Sequence, residues 1–357
     1  PSDAKLAELS LWKERVQALE QKLLSQSLEV LRQNRLSCMT TTRAAFTLQD
    51  LRTLPTFDLV VFDEASQVGL AHALALMPLG RSHLFAGDPQ QLSPVVRSPA
   101  TLVQRWLGSS PFSKKPVNGP SVCFLDEQSR MAEPICGLVS HLFYDGALRV
   151  ADGVKDDAKW LATRRREFAG IPPDVHVHTE DVSTEGAWSQ TYNGPIRYES
   201  ADRIGQLVAT AVQQDGWDPK GIVVLTPFRA QRALIRRRLR EHGVHHVKVS
   251  TVHRAQGSEV PVIIFDPAEA ANPFLLSDEA KRLMNVAFSR AQAKVVLMHS
   301  PGDSANPLID QAIHRVRLQA GARSVTQIED LVQNTDFPTC TLGKFVQIGK
   351  HLGEVCA

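Results

Sequence analysis

The sequence has few of the features that mark secreted, membrane-spanning or strongly basic proteins. Its 357 residues include five cysteines, odd in number and never spaced as CxxC, so neither a zinc site nor a disulfide framework is indicated. A reduced, intracellular compartment fits this usage best, the cytoplasm first and the nucleus as the alternative. No apolar run approaches the roughly 18–20 residues of a membrane helix, and the N-terminus lacks the charged-then-apolar pattern of a signal peptide.

An excess of charge of either sign is also missing. The 40 Lys and Arg residues nearly balance the 38 Asp and Glu residues, so the net charge is +2. Any surface that binds nucleic acid must therefore be a local groove, because the whole molecule is not basic. Aromatic residues make up only 6%, but hydrophobic residues reach 43%, which is enough for sizeable cores in two ordinary domains.

The first position lacks the methionine that begins a primary translation product, and Pro1 stands there instead. We therefore expect the chain to be a fragment or a processed product. The last residues, "GKFVQIGKHLGEV", end as though a strand were beginning, so we expect the polypeptide to continue at this end as well.

Hydrophobic periodicity separates a leading helix from a series of buried strands. Between Leu6 and about Leu31 there is no Pro or Gly and apolar residues recur at helical spacing, which predicts one long amphipathic helix packed on its own domain. A partner-binding coiled coil is the alternative, although the pattern is short for sustained heptads. After Arg35, short β-branched runs end in polar loops, which predicts an α/β fold with parallel sheets covered on both faces. Functional residues are expected at the carboxyl ends of these strands.

Loop-like composition indicates the domain boundaries. A stretch rich in Pro, Gly, Ser and Lys at 108–121 is the best internal boundary, and a second loose segment spans about 150–195. Within the second segment, the basic triplet Arg164–Arg166 is a candidate for phosphate-backbone contacts, with a solvated face as the alternative. The expected divisions are a helix at 1–34, a first lobe at 35–115, a second lobe at 116–320 and an extension of unknown role at 321–357.

Asp63 and Glu64 form an acidic pair at the tip of a buried strand, where carboxylates are costly unless a metal ion or substrate uses them. In nucleotide hydrolases, one such carboxylate holds Mg²⁺ and the next orients the attacking water. Capping of the following helix is the alternative. Gln91 follows a second strand and the turn at Gly87, where a glutamine can contact a terminal phosphate, or can simply lie in a polar turn.

Two arginines, Arg130 and Arg290, are candidates for the positive charge that phosphoryl transfer requires from across a cleft. Each of them alone is also consistent with a surface ion pair. In "VSTVHRAQGSEVPVIIFD", Glu259 can accept a hydrogen bond from a ribose hydroxyl. The hydroxyls of Ser250 and Thr251 suit contacts with the phosphates of a nucleic-acid strand.

The order of these segments carries more information than any one of them. Along the chain they read "CMTTTRAAF", "VVFDEASQ", "AGDPQQLSP", "LDEQSRMAEPI", "VVLTPFRAQ", "STVHRAQGSE" and "NVAFSRA". In this order and wording the sequence resembles the superfamily 1 helicases of the 1B branch, which includes RNA-surveillance helicases and replication helicase-nucleases. The matching segments span about 35–299, most of the chain.

The resemblance implies two RecA-like lobes that bind ATP and Mg²⁺ between them and move 5′ to 3′ along a single strand of DNA or RNA. By position, it implies that Asp63 holds Mg²⁺, that Glu64 is the general base and that Gln91 senses the γ-phosphate. Arg130 and Arg290 resemble the two arginine fingers. The other implied nucleotide contacts are Gln128, Gly257 and, toward the ribose, Glu259. The implied strand contacts are Thr41, Thr42, Pro94, Thr226, Ser250 and Thr251.

The chain departs from the family pattern in three places. It contains no GxxxxGK followed by Ser or Thr, the loop that holds the triphosphate, so we expect a segment upstream of this chain to supply it. The helix at 1–34 then resembles the stalk of an accessory domain inserted in the first lobe. Ser129 stands where the family usually has an aromatic residue, and Pro261 stands where it often has an acidic one.

Three functional hypotheses follow from the sequence. The first is an ATP-driven helicase or translocase whose phosphate loop lies outside this chain. The second is a helicase-derived module that grips single strands or a partner without hydrolysing ATP. The third is a motor that a separate polypeptide completes.

Overall fold

Parallel β-strands form the centre of both structural units, as the β-branched runs predict. The structure, a computed structural model, describes residues 3–114, 119–251 and 259–318. The chain divides into Pro1–Cys123 and Phe124–Ala357. The predicted extension at 321–357, with its final strand, lies outside the described residues. In the described ranges, no helix is both long and apolar enough to cross a membrane.

The leading helix α1 spans Asp3–Gln33 without interruption, as the absence of Pro and Gly predicts. Its apolar stripe nevertheless faces solvent, since Trp12 is 66% exposed and Leu23 is 64% exposed. Among the described residues of the first unit, Leu31 in the last turn packs against the core. The prediction that the helix packs on its own domain is therefore wrong for most of its length, because the small core lies beside its final turn alone.

The rest of the first unit contains a two-stranded parallel sheet. Strand β1 (Phe57–Phe62) pairs with β2 (Gly80–Phe85), and the rings of Phe62 and Phe85 stack with centroids 4.8 Å apart. About half of the surface of Leu59, Val61 and Leu84 is exposed, although parallel strands are normally covered on both faces. The helices of this unit, beside α1, are α2 (Thr41–Phe46), α3 (Leu48–Leu51), α4 (Leu70–Leu76) and α5 (Thr101–Leu107).

The second unit is built on a parallel sheet of five strands, which are β5 (Val177–Asp181), β8 (Ile222–Leu225), β9 (Lys248–Ser250), β10 (Val260–Phe265) and β11 (Ala291–His299). Their order in the sheet is β5-β11-β10-β8-β9. The inner strands are almost entirely buried, which is why they read as continuous apolar runs. The predicted α/β class is confirmed.

Helices and two small sheets complete the second unit. The helices are α6 (Glu133–Phe143), α7 (Asp152–Lys155), α8 (Ala158–Arg164), α9 (Tyr198–Gln213), α10 (Arg229–Glu241), α11 (Asp278–Ser289) and α12, described over 307–318. Strand β3 (Glu127–Gln128) pairs with β4 (Arg149–Val150), and β6 (Ala187–Ser189) pairs with β7 (Gly194–Ile196).

A buried ionic network joins separate elements of this unit. The Arg197 side chain, completely buried before α9, donates to Asp303 Oδ2 at 2.6 Å and to Asp266 Oδ1 at 3.1 Å. Gln231 of α10 donates to Asp266 Oδ2 at 2.7 Å and accepts from the Arg197 backbone at 2.9 Å. Burial alone would lower the pKa of Arg197, but the two aspartates outweigh it and raise that pKa. The guanidinium therefore stays charged and ties β10 to α9 and α10.

Replacing Arg197 with Met is expected to lower the free energy of unfolding by about 3–5 kcal/mol, because two buried carboxylates lose their countercharge. Urea denaturation of the complete protein measures this loss. Arg203→Met on the same helix is the control, since its ion pair with Glu180 is partly exposed and such pairs contribute about 1 kcal/mol or less. Equal losses in the two variants would contradict a special role for the buried network.

Candidate nucleotide and nucleic-acid sites

In the first unit, the predicted metal ligand and general base lie beside the predicted sensor loop. Asp63 and Glu64 follow β1, and the turn at Gly87 follows β2. Because the two strands are parallel neighbours, both loops lie at the carboxyl end of the sheet. The amide of Ala65 donates to the carbonyl of Ala86 at 2.8 Å, which joins the loops directly.

Glu64 has a left-handed backbone, with φ of 49°. This conformation is costly for a residue with a Cβ, by about 1–3 kcal/mol, and residues held in it cluster at functional sites. The amide of Glu64 donates to Asp63 Oδ1 at 2.9 Å, and Gln67 Nε2 donates to Glu64 Oε2 at 3.2 Å. Gln67 is not among the site residues predicted from the sequence, although its place three positions after Glu64 in "DEASQ" is a usable signal.

The close approach of the two loops requires glycine at position 87. A Cβ on Gly87 would lie 2.8 Å from the Ala65 nitrogen and 3.0 Å from the Ser66 nitrogen, so another residue would push the loops apart. Asp88 shapes the turn that follows, because its carboxylate accepts from the amide of Gln90 and from the Gln91 side chain, both at 2.9 Å. The side chain of the predicted sensor is thereby oriented.

The donor set at this end of the sheet suits Mg²⁺. Asp63 is exposed directly after its strand, and Mg²⁺ in nucleotide sites commonly takes one or two protein carboxylates while phosphates and waters fill its other positions. Over residues 3–114, 119–251 and 259–318, no three His, Cys, Asp or Glu side chains are arranged to hold a metal ion by themselves.

In the second unit, the two predicted arginine fingers belong to one cluster. Arg130, in the loop between β3 and α6, has its Nη2 2.6 Å from Glu259 Oε1, and its Nη1 donates to the carbonyl of Ser289 at 3.3 Å. Arg290 follows Ser289, and its carbonyl accepts from the amide of Val260 at 3.1 Å. The hydrogen bond from Arg130 lowers the pKa of Glu259, which keeps that carboxylate charged.

This cluster lies before β10 and β11 begin, since Val260 and Ala291 are partners at the starts of the two strands. The predicted carboxylates of the first unit therefore follow a strand, whereas the predicted arginines of the second unit lie before two strands. The reason is that Arg290 comes from the end of α11 and Arg130 from a loop that docks on the start of β11, through the amide of Ala132 and the carbonyl of Gln292.

Gln128, a predicted nucleotide contact, closes the loop that carries Arg130. Its Oε1 accepts from the Met131 amide at 2.7 Å, and its Nε2 donates to the Met131 carbonyl at 3.2 Å. Gly257, the other predicted contact from the fifth motif, lies outside the described residues together with Gln256.

The basic triplet does not form one surface for phosphates. Arg164 is buried and donates to backbone carbonyls, so a phosphate contact at this position is wrong. Arg166 is exposed and stacks over Trp217, with its guanidinium carbon 4.0 Å from the ring centroid. The side chains point to different places because the end of α8 turns the chain between them.

The predicted strand contacts of the second unit meet at the carboxyl ends of β8 and β9. The amide of Thr226 donates to the carbonyl of Ser250 at 3.2 Å, and Thr251 follows directly. Thr226 and Ser250 are buried, and their hydroxyls are engaged with the Phe228 amide and the Thr251 carbonyl. Thr251 is half-buried, and contact of these residues with a strand stays a prediction.

In the first unit, Thr41 and Thr42 open helix α2, and Thr40 caps it by accepting from the Arg43 amide at 3.2 Å. Thr40 is not among the residues predicted from the sequence, and the run of three threonines is the signal that points to it. Pro94 is half-buried after the sensor turn.

A carboxylate that can hold Mg²⁺ and arginines that can stabilise a transferring phosphate are parts that nucleotide hydrolases use. Two family models, each described as an AAA domain, match residues 3–99 and 107–301. The second match alone covers more than half of the 357 residues. The chain belongs to this AAA-domain family and, within it, to the superfamily 1 helicases, as the resemblance of its motifs predicts.

Several helicases are similar to this chain in sequence. An uncharacterized ATP-dependent helicase of Methanocaldococcus jannaschii is 28% identical over 246 residues, covering 68% of this chain and 36% of the relative. The DNA polymerase alpha-associated DNA helicase A of Schizosaccharomyces pombe is 30% identical over 259 residues, covering 70% and 37%. The DNA replication ATP-dependent helicase/nuclease of Mus musculus is 29% identical over 272 residues, covering 69% and 25%.

The chain therefore spans between a quarter and somewhat more than a third of the length of these relatives. Among solved structures, the PRRSV helicase is similar with a TM-score of 0.33 and 14% identity, over 68% of this chain and 34% of that one.

Proposed function

We propose that this chain is part of the motor of an ATP-dependent helicase or translocase that moves 5′ to 3′ on a single strand of nucleic acid inside the cell. The observation that carries the proposal is the cluster at Glu259, whose carboxylate pairs with Arg130 at 2.6 Å and lies within the electrostatic influence of Arg290. Phosphoryl transfer needs such positive charge on the transferred phosphate, whereas a purely structural domain has no need to bring two arginines to one carboxylate.

In this proposal the polar residues at the carboxyl end of the first unit's sheet take three roles. Asp63 is the magnesium ligand, and Mg²⁺ supplies charge neutralisation to the phosphates when it is bound. Glu64 is the general base, oriented by the side-chain amide of Gln67, and Gln91 reads the γ-phosphate from the turn that Asp88 shapes. In this proposal Asp63 holds the metal and Glu64 takes the proton of the attacking water.

In the second unit, Arg130 and Arg290 are the arginine fingers. Arg130 exchanges Glu259 for phosphate oxygens during catalysis, which frees that carboxylate to accept from the ribose. Gln128 keeps this loop closed beside the nucleotide, and Gly257 is proposed to line the same site on the resemblance of its motif.

The phosphate-binding loop is proposed to lie on a segment outside this chain. In support, Leu59, Val61 and Leu84 each expose about half of their surface on strands that the rest of a RecA-like sheet would cover. Helix α1, whose apolar stripe lies in solvent, is proposed to be the stalk of an accessory insertion at 1–34. The first lobe is then completed from the same polypeptide or from a partner subunit.

The strand is proposed to be held through its phosphates. Thr41, Thr42 and Pro94 would contact it in the first lobe (35–115) and Thr226, Ser250 and Thr251 in the second (116–320). Phosphate contacts and stacking do not distinguish DNA from RNA, so either polymer is compatible with these side chains.

The test is ATP hydrolysis by the complete protein, with and without single-stranded DNA and RNA oligonucleotides, followed by displacement of duplexes with 5′ or 3′ overhangs. We expect hydrolysis that a single strand stimulates and displacement from the 5′ overhang. Strand binding that ignores nucleotide, in a protein without ATPase activity, would instead establish the binding-module hypothesis. Activity that appears only after addition of a second polypeptide would establish a motor completed by a partner.

A further inference from the structure

The loop 128–131, called here the finger loop, carries Arg130 and is fixed at both ends. Gln128 makes two hydrogen bonds with the Met131 backbone, and the next amide, that of Ala132, donates to the carbonyl of Gln292 at 2.9 Å. Between these ends, the carbonyls of Ser129 and Arg130 are bound by side chains of helix α8. The resemblance of the motifs assigns no role to that helix.

Arg164, the last residue of α8, is the main contact. Its Nε and Nη2 donate to the Arg130 carbonyl at 3.1 and 2.6 Å, and Nη2 also donates to the Ser129 carbonyl at 3.1 Å. Its Nη1 donates to the Trp160 carbonyl and to Thr163 Oγ1, both at 2.9 Å. Every nitrogen of the guanidinium is therefore engaged.

Placing the charged side chain of Arg164 in the protein interior costs free energy. The residue is 7% exposed, and burial lowers the pKa of its guanidinium, with the charge of Glu259 opposing that effect. In the part of the chain that the structure describes, it has no salt bridge to a carboxylate, and its hydrogen bonds go to carbonyl and hydroxyl oxygens. Burying a guanidinium costs free energy, and these hydrogen bonds offset that cost.

Trp160 provides the second contact. Its indole Nε1–H donates to the Ser129 carbonyl, so that this carbonyl accepts from two side chains. The Arg164 guanidinium lies over the indole ring, 4.0 Å from its centroid. Asp157 caps the start of α8 by accepting from the amides of Lys159 and Trp160, at 2.8 and 3.0 Å. The helix therefore presents the pair in one defined orientation.

We propose that Trp160 and Arg164 are positioning residues for the arginine finger Arg130. They bind the carbonyls of Ser129 and Arg130, which flank the N–Cα bond of Arg130. The loop is therefore held in one conformation, and the guanidinium is positioned at the transferring phosphate. Misplacement of a catalytic group by about 1 Å costs on the order of 10²-fold in rate, and a four-residue loop without this anchor has that freedom. The inference rests on the proposed role of Arg130 in phosphoryl transfer.

Arg164→Gln in the complete protein is expected to lower the kcat of strand-stimulated ATP hydrolysis by about 10- to 100-fold. KM for ATP and the affinity for ADP should stay close to the wild-type values, whereas the affinity for ADP–aluminium fluoride, a transition-state analogue, should fall with kcat. The matched control is Arg203→Gln, which removes an arginine of the same unit that pairs with Glu180 and has no role in the proposed nucleotide or strand sites. It should behave as wild type.

A double-mutant cycle separates positioning from general stability. If Arg164 acts through Arg130, then Arg130→Ala combined with Arg164→Gln should be no slower than Arg130→Ala alone. Additive losses would overturn the inference. Because Arg164 is buried, Trp160→Phe provides a second variant that keeps the ring under the guanidinium and removes only the donor to Ser129. It should lower kcat by a smaller factor at an unchanged Tm, and wild-type kcat in this folded variant would also overturn the inference.

The same measurements distinguish the two levels of the proposal. A large loss in Arg130→Ala with wild-type kcat in Arg164→Gln would remove the positioning role and leave the proposed function intact. Wild-type kcat in Arg130→Ala would remove the finger itself, and the positioning role with it.

Discussion

Glu64→Gln in the complete protein is expected to lower ATP turnover by at least about 10²-fold, because a general base contributes on that scale. Binding of ATP should be retained, since Asp63, the proposed magnesium ligand, is unchanged. The substitution is nearly isosteric, so the left-handed backbone and the hydrogen bond from the Glu64 amide to Asp63 at 2.9 Å should persist. Steady-state hydrolysis and equilibrium binding of a fluorescent ATP analogue measure the two quantities separately.

Asp58→Asn is the matched control for this variant. Asp58 lies at the other end of β1, is almost fully exposed and forms a surface ion pair with Arg81 at 3.4 Å. Its substitution should leave both turnover and ATP binding unchanged. Wild-type turnover in Glu64→Gln would remove the assignment of the base, whereas a loss of ATP binding would indicate a role for Glu64 in holding the nucleotide.

The second large effect is expected at Arg130. Arg130→Ala should lower kcat by about 10³-fold or more, which is the scale of arginine fingers in phosphoryl transfer. Arg130→Lys should not restore the rate, because an ammonium group cannot reproduce the planar, bidentate donor geometry that a guanidinium offers to phosphate oxygens. Single-turnover hydrolysis at saturating ATP and single strand measures the effect on chemistry alone.

Removal of Arg130 should also change the titration of Glu259. Since the Arg130 hydrogen bond lowers the pKa of Glu259, that pKa should rise toward its ordinary value in the alanine variant.

For the loss of kcat in Arg130→Ala, the control is Arg149→Ala, because Arg149 lies nearby on β4 but pairs at the surface with Asp126 and Glu127. Wild-type kcat in Arg130→Ala, or an equal loss in Arg149→Ala, would contradict the finger assignment.

Local features of both units could be predicted from residue type and spacing. The absence of Pro and Gly specifies α1, and β-branched runs specify the buried strands, because backbone preference and hydrophobic period act over a few residues. The proximity of the Asp63–Glu64 pair to the sensor turn also follows, since consecutive parallel strands bring their carboxyl ends together.

The environment of α1 could not be read from the sequence. Its apolar stripe has the same spacing whether it packs on its own domain or stays in solvent, and the structure leaves Trp12 and Leu23 exposed. The different environments of the arginines in the triplet Arg164–Arg166 could not be read from the sequence either. Adjacent basic residues look alike in the sequence, yet Arg164 is buried against the finger loop and Arg166 stacks on Trp217.

By itself, the sequence determined the α/β class, the family and the residue types of the proposed chemistry, because motifs record identity and order along the chain. Only the tertiary structure decided which of these residues meet. Arg130, Glu259 and Arg290 are far apart in the sequence and come together because β10 and β11 are neighbours and the finger loop docks on the start of β11. The anchor at Trp160 and Arg164 belongs to no motif, since its hydrogen bonds go to backbone carbonyls, which every residue possesses.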